Sequence, residues 1–187
     1  MDGFLLALVL TFAIALGGRE QLIIAQFAES LERTIPLFVT GAFCAVLSAS
    51  VMAYAGASMA ALLPSQAAQM LVAFALAIAA FELVWPVRMK PMKEPTRSYT
   101  AIGAVLLVRQ VADAARFAIF ALAAWTVYPT TALVGGAIGG VVAVALGWAL
   151  GLRKMQEFPL CAIRVGLGLC LIVAALMIGL NARYAFL

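Results

Sequence analysis

The chain has 187 residues, 66% hydrophobic and 11% charged, with mean hydropathy +1.13 and a formal net charge of +4. Soluble domains average about 45–50% apolar and 25% charged residues, so a water-soluble globule of this size is excluded and the main solvent is lipid. The few basic residues set orientation in a membrane and exclude a nucleic-acid-binding role.

The first apolar stretch, 3–31, follows the start MDGFLLALVLTFAIALGG. It has the apolar run of a secretory leader but carries Asp2 where a basic n-region belongs, so it is expected to stay as a helix. Gly17 and Gly18 stand at its middle, where paired glycines weaken a helix and let another backbone approach. Arg19, Glu20 and Gln21 follow directly. The second and third stretches are 36–63 and 66–85. Glu82, beside Trp85 at the end of the third, reads as an interfacial acid that snorkels toward water.

The link PVRMKPMKEPTRSY covers 86–99, and the fourth stretch is 100–126. That stretch holds Arg109, Asp113 and Arg116 at spacings of four and three, which in one continuous helix share a face and let Asp113 pair with either arginine. The fifth stretch, 131–152, contains Gly135, Gly136, Gly139, Gly140, Gly147 and Gly151. Their G-x-x-x-G spacings are a helix-contact pattern. The sixth, 159–181, carries Arg164 one turn inside, which reads as another snorkelling charge. Pro36, Pro64, Pro86, Pro129 and Pro159 mark the joints. A spanning helix needs about 20 residues, so the first, second and fourth stretches are tilted, kinked or extended.

The loops orient the bundle. Arg33, the linker residues Arg88, Lys90, Lys93 and Arg97, and the pair Arg153 and Lys154 fall on one side, against Arg183 on the other. Positive charge stays inside, so 86–99 is expected in the cytoplasm and both termini outside an inner (plasma) membrane. Cys44, Cys161 and Cys170 lie in apolar runs, without C-x-x-C spacing and without any histidine. A structural zinc site is thereby excluded, and the cysteines read as packing residues.

The chain also repeats itself. At an offset of 95 residues Pro64 falls on Pro159, Gly41-Ala42 on Gly136-Ala137, and Ala79-Ala80 on Ala174-Ala175. Gln69 falls on Arg164, a polar lining position in both halves. Three spans per unit is an odd number, so the second unit enters the membrane from the opposite side, as in alternating-access transporters. The expected fold is an all-α integral membrane protein of six transmembrane helices in two inverted three-helix repeats. The first repeat is 1–85, the basic cytoplasmic linker 86–99 and the second repeat 100–187.

The same offset superposes ALGGREQL, 15–22, on QVADAARF, 110–117. Charges at mid-membrane cost roughly 2.5–3.5 kcal/mol each on insertion scales, and intramembrane ionisable groups are functional by default. Arg19, Glu20, Gln21, Arg109, Gln110, Asp113 and Arg116 are therefore read as one buried network where spans one and four meet. In it Glu20 answers the arginine that Asp113 leaves. The plainer reading is a purely structural ion-pair cluster.

At these residues the chain resembles the Gdt-type family of manganese and calcium exchangers, within the LysE transporter superfamily. The resemblance implies two three-helix repeats joined by a cytoplasmic link, each first helix carrying E-x-G-D-K/R-S/T and then Gln. In the first repeat Gly17, Arg19 and Gln21 fit, while Ala15, Gly18 and Glu20 replace Glu, Asp and Ser/Thr. In the second, Asp113 fits, while Gln110, Ala112, Ala114 and Ala115 depart. A divalent ion wants several carboxylate oxygens, and Asp113 and Glu20 are the only central candidates for a metal. Among three arginines they leave a net charge of about +1, which repels a cation.

Two functions follow. One is a secondary transporter of an ion or small solute, coupled to protons through Asp113 or Glu20, with the arginines favouring an anionic or zwitterionic solute. The other is a non-transporting membrane subunit whose ancestral cation site has become structural salt bridges. Small residues in spans two and five would then meet a homo-oligomeric or membrane-protein partner. No nucleophile stands with a base and no loop is long enough for a catalytic domain, so an enzyme is not expected, nor is a cofactor.

Overall fold

The computed structural model describes residues 2–86, 98–110 and 112–184. Within them the chain forms eight helices and no strand: α1 (Asp2–Ala15), α2 (Arg19–Ser30), α3 (Ile35–Leu62), α4 (Ser65–Val84), α5 (Tyr99–Gln110), α6 (Ala114–Trp125), α7 (Pro129–Met155) and α8 (Leu160–Tyr184). The prolines set several boundaries. Pro36 and Pro129 sit in the first turn of α3 and α7, where a fixed φ suits the helix and no N–H is missed. Leu63 is extended before Pro64, which ends α3. The basic linker residues Arg88, Lys90, Lys93 and Arg97 lie outside the described residues.

Four helices, α3, α4, α7 and α8, are long and apolar enough to cross a membrane. The pair α1–α2 makes a fifth when counted as one span, and it is bent by 62° at its break. This is a multi-pass membrane architecture, but the expected stretches 3–31 and 100–126 are not continuous helices. At 12 residues each, α5 and α6 are too short to cross alone. The break removes the common face expected for Arg109, Asp113 and Arg116, because Arg109 is in α5 and Arg116 in α6.

The helix ends follow the 95-residue offset. Ala15 and Gln110 close α1 and α5, Arg19 and Ala114 open α2 and α6, and Ser65 and Leu160 open α4 and α8. Packing exchanges in the same way: α2 lies on α7 while α6 lies on α3, α1 on α7 while α5 lies on α3, and α4 pairs with α8. One contact repeats in detail. A Cβ on Gly41 would stand 2.8 Å from Ile24, and a Cβ on Gly136 2.6 Å from Ile119, the residue at the same offset. Both glycines are needed so that α2 and α6 can sit deep against α3 and α7. Both short helices are buried on nearly all faces and form the centre of the bundle.

The exchange fails most clearly beside α2 and α6. The α6 helix packs extensively on α4, whereas α2 makes no comparable contact with α8. Between α2 and α8 there is instead a cavity.

Candidate functional site: two broken helices and their charges

The first break is built by glycine. Gly17 has φ +68, a left-handed conformation that L side chains rarely adopt, and a Cβ there would meet Leu160 at 3.0 Å. Its N–H donates to Gln21 Oε1 at 2.8 Å, and Gln21 Nε2 donates to the carbonyl of Ala143 at 2.9 Å. Gln21 is thus a buried bracket between the break and α7. Gly18 is the N-cap of α2 and offers no side chain to its free amides.

The second break is built by acids. Asp113 is the N-cap of α6, and its Oδ2 accepts the N–H of Ala115 at 3.1 Å. From α4, Glu82 Oε2 accepts the N–H of Ala114, also at 3.1 Å. Two carboxylates therefore meet the positive end of α6, where the helix dipole favours them.

Between the breaks lies an ion pair. Arg116 Nη2 is 3.2 Å from Glu20 Oε2, with side chains 0% and 3% exposed. Arg116 Nε donates to Ser48 Oγ on α3 at 2.6 Å. Glu20 Oε1, Arg116 Nη1 and both amide atoms of Gln110 are buried without a hydrogen-bond partner among the described residues. Buried polar atoms nearly always have partners, so this is unmet hydrogen-bonding capacity in the core.

Several assignments change. Asp113 forms no ion pair with Arg109 or Arg116 among the described residues; it caps a helix instead. Arg109 is exposed at the end of α5 and takes no part in the network. Arg19 reaches Glu82, Nε to Oε1 at 3.8 Å, with a side chain 39% exposed. Glu82 and Arg164 are not snorkelling charges. Arg164 is buried, and its Nε and Nη2 donate to the carbonyls of Leu83 and Glu82 at 3.1 and 3.3 Å. Its Nη2 also stands 3.9 Å from Glu82 Oε2. Depth along its own helix does not set either residue's surroundings, because the partners of both come from other helices. The one signal was the superposition of Arg164 on Gln69. In the folded chain Glu20, Glu82 and Asp113 are matched by Arg19, Arg116 and Arg164, so the assembly is neutral rather than +1.

No family model, curated protein or solved structure matches the chain. The functional reading therefore rests on the site itself. The cavity between α2 and α8 has a volume of about 310 Å³ and is lined by Gly17 from the first break, Trp85 and Pro86 after α4, Gln156 after α7, and Leu160 and Arg164 from α8. It opens at the linker end and reaches inward to the broken span. Among the described residues no three His, Cys, Asp or Glu side chains come together as a metal-ligand group.

Proposed function

We propose that the protein is a secondary transporter of a small polar or charged solute, a divergent relative of the Gdt-type exchangers. In this reading the two three-span units, 1–85 and 100–187, are inverted repeats, with α5 and α6 together completing a sixth span. The linker 86–99 is cytoplasmic, and both termini are outside an inner membrane. One observation carries the reading: both first spans break at the same repeat position, and Glu20 and Arg116 meet there, buried, with unmet hydrogen-bonding capacity. Broken helices that meet near the midplane are how many transporters expose backbone and charge to a solute.

Two further features support it. The repeats differ at α4–α6 and α2–α8, closed on one side and open on the other, as a one-sided access path requires. The neutral charge balance and the scattered carboxylates favour a solute that hydrogen-bonds over a hard divalent cation.

A second reading has its own observation. Glu20 and Arg116 are fully enclosed, as in a structural salt bridge, which suits a non-transporting subunit. Reconstitution separates the two. The purified full chain in liposomes, tested against a panel of ions and small solutes with an imposed pH gradient, should show saturable flux. Glu20→Gln that remains folded should lose it. Folded wild-type protein with no flux for any solute would overturn the transporter and leave the scaffold.

A further inference from the structure

We infer that the last turn of α7 is a hinged arm, and that Glu29 is the latch that holds it against α2. Gly151 interrupts α7 with φ 75 and ψ 170, a backbone conformation that glycine adopts and L side chains rarely do. A helix restarted after such a break has free amides to satisfy. Glu29, in the last turn of α2, meets one of them: its Oε1 accepts the N–H of Arg153 at 2.7 Å. A Cβ on Gly151 would stand 2.8 Å from the same oxygen, so the glycine also makes room for the latch. Beyond the break, Met155 is 1% exposed and packs with Leu22 and Ala25 of α2, and Leu160 of α8 packs on the same cluster. Leu152 and Gln156 line the cavity. The arm thus stands between α2 and α8, two helices with no extensive contact of their own.

The 95-residue offset separates what glycine permits from what Glu29 selects. Gly151 falls on Gly56, and Glu29 falls on Ala124. Yet α3 runs unbroken from Ile35 to Leu62, with no positive φ at Gly56. A Cβ there would run into the carbonyl of Phe120, so that glycine serves close packing on α6. The helix that breaks at this position is the one that faces a carboxylate; its counterpart has only an alanine methyl to offer. Without Glu29 the amide of Arg153 has to turn to its own helix, and α7 takes the course of α3. The acceptor is then the carbonyl of Ala149, four residues back. That course carries Leu152 and Met155 off α2 and opens the cavity toward Leu22. The inference needs no solute and no flux, so it fails separately from the transport reading.

The test uses the full chain in nanodiscs of phosphatidylcholine. Cys161→Ser and Cys170→Ser leave only the buried Cys44, and Leu22→Cys is the reporter beneath the arm. Alkylation of the reporter should be slow in this parent and about tenfold faster with Glu29→Ala, the loss of one hydrogen bond to a charged group. Gly151→Ala keeps Glu29 but disfavours the left-handed backbone, and should speed alkylation as well. A melting transition for each variant confirms that it is folded. Should Leu22→Cys not fold, Met155→Cys, buried in the same cluster, takes its place and should show the same acceleration. Hydrogen exchange in Glu29→Ala without a reporter tells a moving arm from a fraying end. The Arg153 amide should stay protected, because the continuous helix supplies the carbonyl of Ala149. Alkylation unchanged in either variant overturns the inference, and so does fast exchange throughout 152–155.

Discussion

The breaks before α2 and α6 stand 95 residues apart in the chain and are finished by opposite chemistry. At the start of α2 there is glycine: Gly17 turns the chain against Leu160 of α8, and Gly18 caps without a side chain. At the start of α6 there are two carboxylates, Asp113 from the same chain segment and Glu82 from α4. The acid-capped break is tied to its neighbouring helix, and α4 and α6 pack together. The glycine break is tied through Gln21 to α7 and by no hydrogen bond to α8 among the described residues, and a cavity opens beside it. The two breaks thus differ in the polar contacts made at their helix N-termini.

Substitutions can break or sharpen this contrast. The largest effect belongs to Glu20→Gln, which leaves Arg116 charged and buried between the two breaks. Removing one partner of such a pair costs about 3–5 kcal/mol, visible as a fall in melting temperature in detergent. Adding Arg116→Met should recover much of the loss. If the single variant is as stable as the parent, the two breaks are not joined by this pair.

Glu82→Gln comes next. It weakens the tie between α4 and the start of α6 and leaves Arg19 and Arg164 without their carboxylate, for about 1–3 kcal/mol. Hydrogen exchange at the Ala114 amide should quicken in this variant more than at Gly18, which has no such tie. Equal changes at both amides would show that Glu82 does not make the difference between the breaks.

Asp113→Ala should cost about 1 kcal/mol, the usual loss of an N-cap. Asp113→Asn should cost much less, because asparagine caps about as well. A large loss in the asparagine variant would mean that the charge of Asp113, and not its capping oxygen, matters. The smallest effect is expected for Arg109→Ala. Its side chain is exposed and outside the network, so stability should stay within about 0.5 kcal/mol, and any flux established for the wild type should be unchanged. Loss of flux in that variant would return Arg109 to the site.

Composition alone placed this chain in lipid, because no globule of this size can hide so many apolar residues from water. The prolines gave most of the joints, since a missing N–H and a fixed φ act locally. The paired Gly17 and Gly18 gave the first break for the same reason. The second break was not legible. The stretch around Asp113 reads as a continuous helix, and the cap that starts α6 there draws one of its two carboxylates from α4, from Glu82, which lies 32 residues before Ala114 in sequence.

The charges divide along the same line. Sequence placed Arg19, Glu20, Asp113 and Arg116 near the breaks, because the repeat carries position along the chain. It could not choose partners. Glu20 and Arg116 are 96 residues apart and Arg164 and Glu82 are 82 apart, and such pairs depend on which helices lie side by side. Within one helix, spacing pairs Asp113 with Arg109 or Arg116; across the fold, Asp113 turns to a backbone amide and Arg109 to the outside. Periodicity and backbone chemistry are properties of neighbours in sequence, so the chain alone determined its apolar character and most of its joints. Which charges meet, and which break has a cavity beside it, depends on contacts between distant helices, and only the tertiary structure decided them.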